Sequence, residues 1–225
     1  SKKPLATRGV IVEFDFTALD GSKLLFETAK KQFAAIGVDL TPRLEAEHLA
    51  GGSYQGAISE LLQSLKKKND PAKVAHDLAA AFSKALDAKV AAAVTPAFKS
   101  FVKSLVAKGV KVVISTRANV ETLKPAFADF DPALVTVYAE PSLTYGSIKW
   151  DAWRRACIAN KLHECITVAV TGSELGVRAA LVGGLAAVAV ANPRLAYQDY
   201  GGADAVVDEI STKLVPDILR VLHLD

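Results

Sequence analysis

Short apolar runs alternate with amphipathic segments over most of this chain. Val and Ile dominate "GVIVEFD" (9–15), which predicts a short buried strand that delivers Asp15 as its last side chain. Later runs of the same character predict further strands: "VKVVIS" (110–115), "LVTVYA" (134–139), "CITVAV" (165–170) and "LAAVAVA" (185–191). Because helical patterns separate these runs, we expect an α/β fold with a Rossmann-like parallel sheet and helices on both faces.

The segment between the first and second strands has a different pattern. From about residue 23 to residue 94, apolar residues recur at helical spacing and no strand-like run interrupts them. Ser22 is the expected cap of the first of these helices. The pattern therefore predicts an α/β core formed by 1–21 and 95–225, with an inserted all-helical cap formed by 22–94.

Composition narrows the class of protein. The 225 residues suffice for one domain with a smaller insertion. The net charge is +3, and the basic residues are scattered along the chain, which does not favour nucleic-acid binding. No apolar run approaches the roughly 18 residues that a membrane span needs, and the N-terminus has no apolar signal core. Cys157 and Cys165 form neither a disulfide framework nor a metal-ligand pattern. These features together predict a cytoplasmic protein.

Candidate ligand-binding residues follow from the fold. In a parallel sheet, ligands bind outside the carboxyl ends of the strands, near a switch in strand order. Hydroxyl groups, a lysine and backbone N–H groups at a helix start could together bind a phosphate or another anion. In any α/β protein, however, Ser, Thr and Gly also cap helices at these junctions. The residues at the expected strand ends are Asp15, Thr17, Ser115, Thr116, Lys149 and the "TGSE" turn of Thr171, Gly172, Ser173 and Glu174.

The order of elements resembles the haloacid dehalogenase superfamily of phosphatases and phosphomutases. The most similar subgroup is the β-phosphoglucomutase-like one, with a helical cap after the first strand. The resemblance covers nearly the whole chain and is carried by "LAGGSYQGAISELL", "PAFKSFVKSLVAKGVKVVIST", "GVRAALVGGLAAVAV" and "GADAVVDEI". It implies a strand followed by "DxDGT", then a hydroxyl residue, a lysine and a pair of acids that completes an Mg²⁺ site.

The first motif departs from the family pattern. Asp15 fits the position of the nucleophile that attacks phosphorus, and we interpret it as a vestigial nucleophile. Thr17 stands where the family has its acid/base. A threonine hydroxyl does not lose a proton near neutral pH. A second alignment pairs Thr17 with the family threonine and Asp20 with a later aspartate. A third makes "ALDGS" the motif, which keeps Asp20 but places Ala18 at the nucleophile position.

The resemblance assigns phosphate binding to Ser115 or Thr116 and to Lys149, although "KW" stands where the family has "KP". The metal motif is degenerate, because Thr171 and Gly172 occupy its acidic positions.

Within the same turn, Ser173 and Glu174 follow the two degenerate positions. Glu174 suits the first turn of a helix, where it complements the helix dipole.

These departures predict a pseudoenzyme that keeps the fold and the cleft for binding or regulation, without a metal or another cofactor. A lone Asp15 carboxylate would hold Mg²⁺ poorly, and we expect it to pair with Lys149 instead. A small phosphorylated molecule or anion is the expected ligand of the core–cap cleft. The sequence does not identify a protein partner, and we expect binding neither to nucleic acid nor to a membrane. The alternative is an active phosphatase or phosphomutase that acts on a small phosphorylated metabolite, with Asp15 as nucleophile and Mg²⁺ held with Glu174 or Asp20.

Overall fold

A computed structural model describes residues 7–49, 54–141 and 149–224. Within these ranges the chain forms one six-stranded sheet whose strands are all parallel. The strands are β1 (Gly9–Glu13), β2 (Lys111–Thr116), β3 (Val135–Ala139), β4 (Thr167–Thr171), β5 (Ala186–Val190) and β6 (Ala205–Val207). The five apolar runs of the sequence thus supply β1 to β5.

The strand order is β3-β2-β1-β4-β5-β6. The chain builds outwards from β1 to β3 on one side, then crosses over to β4 and builds outwards on the other. The order therefore switches between β1 and β4, and β1 lies between β2 and β4 with Glu13 in register with Ser115. In open parallel sheets this switch point is where a crevice forms at the carboxyl ends of the strands.

The described residues between β1 and residue 95 contain helices and turns only. The first helix begins at Gly21, and its N-cap is Asp20, not the expected Ser22, because the Asp20 carboxylate accepts the backbone N–H of Lys23 at 3.2 Å. The inserted α-helices are α1 (Gly21–Ala34), α2 (Pro42–Leu44), α3 (Tyr54–Ser64), α4 (Pro71–Asp87) and α5 (Val90–Ala93), with a π-helical turn at Glu45–Leu49.

The remaining helices cover the sheet. They are α6 (Pro96–Val106), α7 (Val120–Leu123), α8 (Ala152–Ala159), α9 (Glu174–Val182) and α10 (Val215–Val221). Alternate residues of β1 enter different clusters: Val10 and Val12 belong to the large core shared with the inserted helices, whereas Ile11 packs with α8 and α9. This period of two, with both faces buried, is what a helix-covered parallel sheet requires.

The predicted fold class is confirmed: a Rossmann-like parallel sheet has helices on both faces and an all-helical insertion after its first strand. Among the described residues, none of the helices combines the length and the apolar character that crossing a membrane would require.

Candidate functional site

The first strand ends two residues earlier than its sequence predicts. Its last residue is Glu13, and Asp15 lies in the 3-10 turn Phe14–Phe16 that follows. Thr17 closes this turn, because its hydroxyl donates to the carbonyl oxygen of Glu13 at 2.7 Å and its N–H donates to that of Phe14 at 3.3 Å. The expectation that Asp15 is the last strand side chain is therefore wrong. The chain brings two carboxylates, Glu13 and Asp15, to the carboxyl end of β1.

Asp15 is held by the end of β2. Its Oδ1 accepts the Thr116 hydroxyl at 2.6 Å, and its Oδ2 accepts the Arg117 backbone N–H at 2.6 Å. The residue has no solvent exposure (0%). Both of its oxygens therefore have donors within the protein, and neither faces water.

Glu13 is held by the end of β4. Its Oε1 accepts the Thr171 hydroxyl at 2.9 Å and the Gly172 backbone N–H at 3.2 Å. Its other oxygen, Oε2, is buried and has no hydrogen-bond partner. Thr171 and Gly172, the degenerate metal positions of the sequence, thus act here as donors to a carboxylate.

Arg117 lies between the two carboxylates. Its NH2 atom is 3.7 Å from Glu13 Oε2, and its NH1 atom is 4.0 Å from Asp15 Oδ2. The guanidinium carbon lies 4.9 Å from the centroid of the Phe16 ring, at cation–π distance, and the Arg117 side chain is only 5% exposed. Sequence reasoning missed this residue, which directly follows the predicted phosphate-binding pair Ser115 and Thr116.

Lys149 does not take the predicted place beside Asp15. Lys149 is exposed and makes no ion pair with Asp15, whose cationic partner among the described residues is Arg117. The physical reason is burial, since Asp15 has no solvent exposure whereas Lys149 lies at the surface. The expectation of an Asp15–Lys149 ion pair is wrong.

Glycines let the Phe14–Phe16 turn pack against its neighbours. A Cβ at Gly172 would lie 2.1 Å from the Phe16 carbonyl oxygen, and a Cβ at Gly21 would lie 2.1 Å from the Asp15 carbonyl oxygen. Neither distance is possible for a real side chain. Gly172 is therefore a point of close backbone approach, which a residue with a side chain does not permit.

The inserted helix α4 covers the same turn. The ring of Phe82 lies 6.0 Å from the ring of Phe16, and the Ser83 hydroxyl donates to the Arg117 carbonyl oxygen at 3.1 Å. Further along α4, Asp87 accepts the Asn119 N–H at 2.7 Å. The carboxylate–arginine cluster is thus enclosed between the strand ends and the insertion.

A second contact joins the insertion to the loop after β5. Arg194 pairs with Glu45 at 2.8 Å and donates to the carbonyl oxygen of Ser22 at 3.0 Å and to its hydroxyl. Its guanidinium also lies 5.4 Å from the centre of the Phe26 ring. The insertion is therefore tied to the sheet on both sides of β1.

Two predicted residues have structural roles. The Ser173 hydroxyl caps α9 by accepting the Gly176 N–H at 2.9 Å. Glu174 pairs with Arg178 and accepts the Asp199 N–H at 3.2 Å. It lies in the first turn of α9, as the sequence predicts. Next to the site, a shallow depression of about 280 Å³ opens beside Thr17 and Asp20.

Burial dominates the electrostatics of both carboxyls. It raises the pKa of Glu13 above its ordinary value, against the opposing effects of Arg117, Gly172 and Thr171, and the charge of Asp15 raises it further. Burial likewise raises the pKa of Asp15, against Arg117 and the Thr116 hydroxyl. Two carboxylates and one guanidinium would leave a net negative charge in a dry site, which favours the protonated forms of the two acids.

This direction predicts how stability depends on pH. A carboxyl with a raised pKa in the folded state binds its proton more tightly there, so its stabilising contribution is complete below the unfolded pKa of about 4. That contribution is lost as pH rises through the raised folded pKa. We expect the free energy of unfolding to fall with rising pH in this window, by at most about 1.4 kcal/mol per pH unit for each group. Urea unfolding across pH measures it, and an unchanged slope in Glu13→Gln would contradict the assignment.

The residues of this cluster do not fit the Mg²⁺ that the family resemblance implies. Mg²⁺ takes oxygen ligands in an octahedral arrangement. Here the two carboxylates face a guanidinium, and the groups at Thr171 and Gly172 present hydrogen atoms rather than lone pairs to Glu13. Among the residues that the structure describes, no three His, Cys, Asp or Glu side chains are grouped to hold a metal ion.

Comparison with known proteins identifies the fold. No protein-family model and no curated protein matches the chain. Among solved structures, a β-phosphoglucomutase from Clostridium difficile matches 96% of this chain and 99% of its own, with a TM-score of 0.68 and 14% identity. The chain therefore has the fold of this β-phosphoglucomutase.

Two further structures with this fold each cover more than 90% of the chain. A phosphonoacetaldehyde hydrolase-like protein from Oleispira antarctica matches 99% of this chain and 96% of its own, with a TM-score of 0.70 and 16% identity. CbbY from Rhodobacter sphaeroides, solved in complex with phosphate, matches 92% and 96%, with a TM-score of 0.66 and 20% identity. The structural similarity establishes the fold of the chain, and at such low identity it carries no information about activity.

Proposed function

We propose that this protein has the haloacid dehalogenase fold without phosphoryl-transfer catalysis, and that it serves in binding or regulation. One observation carries the proposal: both acids at the carboxyl end of β1, Glu13 and Asp15, are buried, and both oxygens of Asp15 already accept hydrogen bonds from Thr116 and Arg117. A nucleophile must come within about 3–3.5 Å of the phosphorus atom in line with the leaving group. A carboxylate enclosed in this way has no path to a phosphate ester.

The position of the acids changes the basis of this proposal. Glu13 ends β1 and Asp15 follows two residues later, so the pair repeats the acid-x-acid spacing of the family motif, with Thr17 at the family threonine. In that alignment, Glu13 takes the nucleophile position and Asp15 the acid/base position. The proposed loss of catalysis then rests on the burial of both acids. The Arg117 side chain that faces them and the absence of acids at Thr171 and Gly172 support it.

The same spacing favours one alternative, an active phosphatase or phosphomutase. Glu174 and Asp20, the acids expected to help hold a metal in that case, are engaged elsewhere. Glu174 pairs with Arg178, and Asp20 caps α1 and accepts the Asn192 side-chain amide at 3.0 Å.

A small phosphorylated molecule in the core–cap cleft stays a prediction. One of its expected donors, the Gly172 N–H, is bound to Glu13.

The activity of the purified protein tests the proposal. With MgCl₂ and a broad panel of phosphate esters, we expect turnover of the wild type no higher than that of Glu13→Gln. Glu13→Gln is a suitable control, because its Oε1 can still accept from Thr171 and Gly172 while the amide replaces an oxygen that has no hydrogen bond. Turnover that saturates with substrate and disappears in Glu13→Gln or Asp15→Asn would support the alternative.

A further inference from the structure

Two segments that are distant in sequence bring three charged side chains to one enclosed point. Glu13 comes from the end of β1, Asp15 from the turn after it and Arg117 from the residue after β2. Different terminal nitrogens of the guanidinium face the two carboxylates, at 3.7 Å from Glu13 and 4.0 Å from Asp15. A single side chain therefore serves as counter-ion to both acids.

Arg117 has further contacts besides these ion pairs. Phe16 lies against it at 4.9 Å, and Phe82 of α4 packs against Phe16 from the insertion. The neighbouring Arg117 backbone is fixed by Asp15 and Ser83. An external cation would have to approach this fixed positive charge at short range in a medium of low dielectric, where repulsion is strong.

We infer that Arg117 is a built-in counter-ion that occupies a latent divalent-cation site between Glu13 and Asp15 and keeps metal ions out of it. Two buried carboxylates side by side demand a positive charge, and the chain supplies it as a side chain. Removing the guanidinium while keeping both acids leaves a cavity with the hard oxygen ligands that Mg²⁺ and Mn²⁺ prefer. The cation site should then become available.

The inference deepens the proposed function, and the two can fail separately. Metal binding is measured here through thermal stability and needs no turnover. A wild type that excludes metal yet hydrolyses esters would defeat the proposed function alone. A wild type that binds metal in this cluster without turnover would defeat the inference alone.

Thermal unfolding of the full chain with increasing MgCl₂ or MnCl₂ at neutral pH is the test. In Arg117→Ala we expect a saturable rise in Tm of about 3–6 °C at tenfold excess over Kd. The wild type and Arg43→Ala, which removes an arginine that is 84% exposed, should show no saturable rise. The rise should also be absent from Arg117→Ala/Asp15→Asn.

Each outcome decides the inference. An Arg117→Ala variant that folds only after MnCl₂ is added supports it. A variant that gains no stability from either metal, or stays unfolded with and without them, overturns it. A saturable rise in the wild type that Asp15→Asn abolishes also overturns it, because Arg117 would then not exclude the ion.

Discussion

Replacing Arg117 by methionine is expected to lower the free energy of unfolding by about 3–5 kcal/mol at neutral pH, the usual cost of removing one partner of a buried ion pair. Methionine keeps much of the apolar stem against Phe16 but leaves Glu13 and Asp15 without a counter-ion. The loss should be smaller in mild acid, where the carboxyls bind protons. Urea unfolding at several pH values measures both effects.

Two variants make this prediction specific. Glu13→Gln in the Arg117→Met background removes one of the uncompensated charges, and we expect it to recover a substantial part of the lost stability. Arg43→Met, on the exposed face of the insertion, should change stability by less than about 1 kcal/mol. If Arg117→Met is no less stable than Arg43→Met, the buried cluster is not held together by Arg117.

Replacing Gly172 by alanine is expected to cost about 3 kcal/mol or more. The new Cβ would lie 2.1 Å from the Phe16 carbonyl oxygen and 3.1 Å from the Phe16 Cβ, so the backbone of the Phe14–Phe16 turn would have to move. That movement would disturb the Asp15 hydrogen bonds. Thermal or urea unfolding measures the loss.

Gly201→Ala is the matched control. The nearest atom to its Cβ would be an Asp199 side-chain oxygen at 3.2 Å, which can move, so the expected loss is below about 1 kcal/mol. Equal stability of the two variants would contradict the close approach at Gly172. The same geometry implies that Gly172→Asp, which restores an acid at a family metal position, cannot rebuild a metal site without displacing the turn.

The sequence was informative where local chemistry decides the structure. Runs of Val and Ile predicted β1 to β5, because a strand buried on both faces needs an apolar residue at nearly every position. The helical spacing from residue 23 to 94 predicted the insertion for a similar reason, since helices bury an apolar stripe. These patterns depend on neighbouring residues only.

The centre of the site depends on contacts between residues that are distant in sequence. Two of its residues, Glu13 and Arg117, were not among the predicted site residues. Glu13 was read as part of an apolar strand, and the destination of the Arg117 side chain is set by the pairing of β1 with β2. One signal was present: a glutamate that ends a buried apolar run, two residues before Asp15, must find a partner in the fold. Arg117, which directly follows β2, is that partner.

The structure brings three of the candidate residues together, with contacts that the sequence did not predict. Thr116, Thr171 and Gly172 lie beside the two acids at the carboxyl end of β1, which is where ligands bind in parallel sheets. Their roles as hydrogen-bond donors to Asp15 and Glu13 follow from burial, which the sequence does not specify. Gly172, read as a lost acid, is also the residue that lets two backbone segments meet.

Formation of a phosphoenzyme tests the central claim most directly, because it reports on the nucleophile without requiring the right substrate. The protein is mixed with acetyl phosphate and MgCl₂, quenched in acid, and its intact mass is measured. An acyl phosphate on Glu13 or Asp15 would add about 80 Da. We expect no adduct in the wild type beyond that in Glu13→Gln and Asp15→Asn. A near-stoichiometric adduct that is lost in either variant would show that the acids are accessible and that the protein is a catalyst.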